Sequence, residues 1–198
     1  MPLQSKPSTK QRVRAAALHL FSRQGYEATT LSQLADEVGI QKPSLYNHID
    51  SKESLFMSIV DDVESAFFAE LDVSVAQHQD GDVEQRLYGL VTDLSRFIFF
   101  EAQGAFYKRY LLFPPEPLAE EIRAINARSE ARIDETLTLL FAHGVEEARW
   151  NTLSERQFLD MFYCLMDGLY SERFLYPRAE YERRLASIWP IYWAGLLA

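Results

Sequence analysis

The chain has 198 residues, a formal charge of −9, 47% hydrophobic and 25% charged residues, an ordinary globular composition that excludes a disordered chain. The polar opening Met1 to Lys10 lacks the apolar core of a secretion signal, no later apolar run reaches the roughly 18 residues of a spanning helix, and Cys164 is the only cysteine, so a disulfide framework and a multi-cysteine metal site are excluded. A cytoplasmic protein with no membrane partner is the expectation.

An acidic total argues at first against a nucleic-acid partner, because phosphate binding normally requires positive charge. The charge is unevenly spread. Within residues 1–56, Lys6, Lys10, Arg12, Arg14, Arg23, Lys42 and Lys52 face five acids, Glu27, Asp36, Glu37, Asp50 and Glu53, for a net +2, leaving −11 on the rest. A weakly basic head on an acidic body suits a protein that brings only one end to DNA. We therefore divide the chain into 1–56 and 57–198.

In chain order, Val13, Ala17, Leu20 and Phe21 follow the spacing of one helical face from Thr9 to Gln24, and Gly25 is a residue that stops a helix. Thr30 and Gln33 form a capping-box pair that starts a second, short helix with Leu34, Ala35 and Val38 inward, closed by Gly39. A third begins near Gln41, with Pro43 tolerated in its first turn. Helix, glycine turn and short helix make a helix-turn-helix. Asp50-Ser51-Lys52-Glu53 offers a further capping box for a helix through Leu55, Phe56, Ile59, Val60, Val63, Phe67 and Leu71 that joins the two parts. After a polar loop over 77–82, residues 83–101 carry a strong apolar stripe. Gly104 and Pro114-Pro115 bracket a brief helix, a long one runs over 118–142, and Pro177 separates two last helices, 152–175 and 180–197. With no alternating strand runs, the fold is read as all-α with about nine helices.

Three runs in the head carry a resemblance: Phe21-Ser22-Arg23-Gln24-Gly25-Tyr26-Glu27-Ala28-Thr29-Thr30, Leu34-Ala35-Asp36-Glu37-Val38-Gly39-Ile40, and Ser44-Leu45-Tyr46-Asn47-His48-Ile49 with Ser51-Lys52-Glu53-Ser54-Leu55. Over about residues 10–57 they closely resemble the DNA-binding domain of the TetR (tetracycline-repressor) family. A short helix can place its first turn in the major groove, where Gln41, Lys42 and Ser44 are candidate base readers. Gln41 suits adenine and Lys42 guanine, and either side chain equally suits a phosphate. Tyr46, His48 and Lys52 resemble the family's phosphate contacts, and Thr30 adds a hydroxyl; outside this ordered motif Tyr46 would read as half core and His48 as a solvated side chain. Leu45 and Ile49 read as core. Gln41 departs from the serine or threonine that family members often carry as N-cap, which leaves base identity open.

What the resemblance implies for the remainder is a small-molecule pocket and a dimer interface, hence a ligand-responsive regulator, a repressor by family habit, released from a palindromic double-stranded operator by a small apolar or aromatic effector. Candidate pocket residues are Phe97, Phe106, Tyr107, Tyr110, Phe158, Phe162, Tyr163 and Tyr170, with Phe100, Phe113 and Phe174 near them in sequence; the competing reading of each is plain core. Arg109 and Asp167 stand among apolar neighbours as possible polar anchors. Phe158, Phe162, Leu165, Leu169, Ile188, Ile191, Tyr192 and Leu196 are candidates for a four-helix homodimer interface, against intramolecular packing. An enzyme is not expected: His143 and Cys164 come with no nucleophile elbow or phosphate-cradling glycine loop. The four histidines have no metal-ligand spacing, and no cofactor is expected.

Overall fold

Local signals set the helix starts. Ser8 with Gln11, Thr30 with Gln33, Asp82 with Gln85 and Ser154 with Gln157 each form a reciprocal capping box, satisfying two amides that a helix start would otherwise leave unpaired. A fifth box is shifted by one residue from its expected place: Ser51 and Ser54 form it, not Asp50 and Glu53. Gln41 precedes its helix without a side-chain cap.

The computed structural model describes residues 7–150 and 152–197. Among them nine α-helices follow in order: α1 Thr9–Ala28, α2 Leu31–Val38, α3 Lys42–Leu45, α4 Lys52–Gln77, α5 Val83–Phe100, α6 Ala102–Leu112, α7 Ala119–Glu146, α8 Glu155–Glu172 and α9 Arg178–Leu197, with a 3-10 turn at Glu116–Leu118 before α7. No strand occurs among the described residues, and no helix there is long and apolar enough to cross a membrane.

Two boundaries differ from the sequence reading for identifiable reasons. Gly25 kinks α1 rather than ending it, taking φ 82° and ψ 177° inside the run. Gly104 does not open a helix but lies within α6, where a Cβ would fall 2.3 Å from the Phe97 carbonyl oxygen; the glycine permits the close approach of α6 to the end of α5. Pro190 sits inside α9, which continues through it. Gly39 does close α2, in the left-handed conformation.

The head closes on Val13, Ala17, Phe21, Leu34, Ala35, Val38, Leu45 and Ile49, all buried. Each such side chain contributes about 1.5–3 kcal/mol where it is a large aliphatic or aromatic one. α4 runs without a break from the head into the body, burying Leu55, Phe56 and Ile59 near its start and Val63, Phe67 and Leu71 further on. α1 packs against both α4 and α6, so the head is braced by two helices. At its far end α4 is held by His78, whose ring lies on Gly89 of α5; a Cβ on Gly89 would fall 2.3 Å from the imidazole. His78 Nε2 is 3.0 Å from Asp93 Oδ2, which also accepts from Ser74 at 2.9 Å.

Candidate nucleic-acid interface and effector cavity

The short α3 presents its residues in two directions. Leu45 is buried in the head, whereas Gln41, Lys42 and Tyr46 are exposed, Tyr46 at 55%, and Ser44 is half-buried. His48 is half-buried in a polar cleft with Lys10, Arg14, Ile49, Asp50 and Ser54. Thr30 is exposed, but its hydroxyl is engaged as the cap of α2, accepting from the Gln33 amide at 3.1 Å. Lys52, the first residue of α4, holds its ammonium 4.1 Å from the centre of the Tyr26 ring. Burial pushes the Lys52 pKa down against the opposing charge of Glu27, and burial followed by Glu53 and Glu27 pushes Tyr26 up.

Not every base counted in the head faces outward. Arg12 donates to the Val38 carbonyl, and Arg14 donates to Ser58 Oγ at 2.9 Å and pairs with Asp62. These two arginines brace α1 against α2 and α4. Lys6 lies outside the described residues.

Tyr26 was not picked out by sequence reading, yet it begins a row of aromatic contacts. Tyr26 and Phe56 rings are 5.1 Å apart, Phe56 and Phe106 5.1 Å, Phe106 and Tyr110 5.3 Å, Tyr110 and Tyr107 5.6 Å. Tyr107 stacks on Phe67 at 4.6 Å. The row leads from beside Lys52 to the wall of an internal cavity.

That cavity, about 80 Å³, lies between α4, α5, α6, α7 and α8. Four of the eight candidate pocket residues line it: Tyr107, Phe162, Tyr163 and Tyr170. The other four do not. Phe97 packs on Phe67 at 5.8 Å, Phe106 lies against Phe21 and Phe56, and Phe158 sits between Phe141 and Trp150, both at 5.7 Å. Tyr110 donates to buried Glu64, which also accepts from Ser129. Phe113 and Phe174 are exposed.

Of the two proposed anchors, Asp167 lines the cavity and Arg109 does not; the Arg109 guanidinium instead lies over Gly25 in α1, 3.2 Å from where a Cβ would stand. The polar residue missed is Lys108. It lines the cavity at 5% exposure and donates to Asp167 Oδ1 at 2.7 Å. Gly104, Lys108 and Leu111 follow the spacing of one helical face, which was the available signal.

The residues proposed for a dimer interface also divide. Phe158, Phe162, Leu169 and Leu196 are buried within the chain, whereas Ile188 and Ile191 are exposed, Ile191 at 72%, beside Leu165 in a groove of α8 and α9.

Residues 13–59 match the sequence profile described as bacterial regulatory proteins, tetR family. The biofilm operon icaADBC HTH-type negative transcriptional regulator IcaR of Staphylococcus epidermidis is 34% identical over 116 residues, 58% of this chain and 59% of the relative. Its Staphylococcus aureus counterpart is 47% identical over 47 residues, 24% of this chain and 25% of the relative. The chain thus matches less than two thirds of the length of these curated relatives. Its fold is similar over nearly its whole length to that of the ketosteroid transcriptional regulator of Mycobacterium tuberculosis, with a TM-score of 0.77 at 20% identity, covering 98% of this chain and 97% of the other. The fatty acid degradation regulator FadR of Bacillus halodurans gives 0.71 at 18% identity, over 98% and 97%. Residues 13–59 thus match the tetR-family profile in sequence, and the helical body shares its fold with the two regulators above.

Proposed function

We propose that the chain is a cytoplasmic, homodimeric repressor that binds a double-stranded operator of two inverted half-sites and is released when a small apolar or aromatic effector occupies the body cavity. The observation that carries the DNA-binding part is the row of exposed residues on and beside α3, Gln41, Lys42 and Tyr46, with a half-buried Lys52 following at the start of α4. An unpacked tyrosine and lysine beside a well-packed Leu45 suit a surface waiting for phosphates and base edges. Thr30, Ser44 and His48 complete the proposed contact set.

Response to an effector is supported by the aromatic row that links Tyr26, under Lys52, to Tyr107 in the cavity wall. A ligand regulates only if it favours the head arrangement that cannot bind DNA, and a tenfold preference supplies about 1.4 kcal/mol per site. The groove of α8 and α9, with Leu165, Ile188 and Ile191 around Gly168, suits a second copy about a two-fold axis, where a glycine admits close helix approach.

The test is fluorescence anisotropy with an operator selected from random duplexes. Replacing Tyr46 and Lys52 together by alanine should weaken binding and reduce the salt slope by about 1, since fewer counterions are released. Equal affinity of the folded double variant at every salt concentration would remove the assignment.

A further inference from the structure

The internal cavity is unusual in what its polar groups can do. Lys108 brings an ammonium with three donors, of which one goes to Asp167. Its Nζ also stands 5.3 Å from the Tyr170 ring centre. Tyr107 and Tyr170 are buried residues that line the same space, each carrying a phenol hydroxyl. Burial pushes both phenols well above their ordinary pKa, so both keep their protons and remain donors. Phenols that line a cavity can donate to an acceptor that enters it.

The acids around the cavity are already spent or on the rim. Glu64, not itself a lining residue, takes Tyr110 and Ser129, and Asp134 takes the Tyr163 hydroxyl at 2.8 Å. Glu130 is exposed and accepts from Asn126. Asp167, although paired with Lys108, has a side chain 69% exposed, so it can turn to water without desolvation cost while the ammonium, 6% exposed, cannot leave. A cationic ligand would meet this fixed ammonium. An acidic one would find it.

Building on the reading of this cavity as an effector site, we propose that its ligand is a small monocarboxylate with a short aliphatic body, whose carboxylate replaces Asp167 on the Lys108 ammonium and accepts from the Tyr107 and Tyr170 hydroxyls. The body of the acid rests on Phe67, Phe162 and Met166. No proton or covalent bond changes hands; one ion pair is exchanged for another in which the anion is desolvated and held by more donors.

Calorimetric titration of the protein with propionate and butyrate tests this, with propionamide as the neutral isostere and propylamine as the cation. Both acids are expected to bind, and propionamide and propylamine to bind at least about tenfold more weakly. Lys108→Met should weaken propionate at least about tenfold. Asp167→Asn, which removes the competing carboxylate at an exposed position, should strengthen it, and this variant decides the matter if K108M does not fold. Absence of binding by both acids, equal binding of propionamide, preference for propylamine, or an unchanged or weaker propionate affinity in D167N each overturns the proposal. Operator titration separates it from the reading it builds on. Acids that bind through Lys108 but leave operator affinity unchanged sink the effector reading alone, whereas a neutral or cationic ligand that releases the operator through this cavity, with no effect of the acids, sinks the carboxylate alone.

Discussion

A carboxyl group buried among helices must either be held by donors or keep its proton. Glu64, on α4, does some of each: burial pushes its pKa up from the ordinary 4.5, while hydrogen bonds from Ser129 and Tyr110 and the charge of Arg128 pull it back. Because the folded value is the higher one, the native state binds the proton more readily than the unfolded chain. The stabilisation from Glu64 is therefore complete below 4.5 and is lost as pH rises through the folded value. Glu64→Gln, which stays neutral, should gain stability relative to the parent as pH rises through that window, and urea denaturation across pH 4 to 8 checks the trend. A difference that stays flat or moves against Gln would contradict it. Glu64→Leu should instead cost about 1–3 kcal/mol, since it strands the hydroxyls of Tyr110 and Ser129.

At the scale of elements, the kink in α1 shows how one backbone position serves two helices. Gly25 holds φ 82° and ψ 177°, a region open to glycine almost alone, and its bare Cα leaves room for the Arg109 guanidinium from α6. Gly25→Ala should lower unfolding stability by about 1–3 kcal/mol, seen as a lower urea midpoint. Adding Arg109→Ala relieves the contact but not the backbone strain, so most of the loss should persist; full recovery would show that crowding, not conformation, sets the cost. The sequence disclosed elements whose cause is local. Thr30 and Gln33, three residues apart, announce α2, and Gly39 ends it, because caps involve neighbours in the chain. It could not disclose Gly104, whose reason is the approach of the Phe97 carbonyl, nor the Glu64 cluster, whose partners lie 46 and 65 residues away. The aromatic positions behaved likewise: helical spacing along α6 picks out inward positions, but only the packing of α4 and α1 decides that Phe106 fills the head contact while Tyr107 lines the cavity.

For the whole molecule, a net charge of −11 beyond residue 56 against +2 before it fits the proposed role, in which the head and not the body would approach phosphates. One such head makes few contacts, so affinity should depend on pairing two. Replacing Ile188 and Ile191 by glutamate, both exposed on α9, should yield monomers at micromolar concentration in sedimentation and reduce operator affinity on the order of 10²-fold or more, with secondary structure unchanged. A dimer that persists in this variant would move the interface elsewhere. The seating of His78 on Gly89 then acquires a mechanical meaning. It fixes the far end of a helix of 26 residues, roughly 39 Å from end to end, and so makes that end the pivot for any tilt of α4 that the proposed release from DNA would use. A swing of only about 5° would carry Lys52 through an arc of roughly 3 Å, comparable to the length of a hydrogen bond, so a movement too small to disturb the packing beside the pivot is enough to take the head out of register with a phosphate.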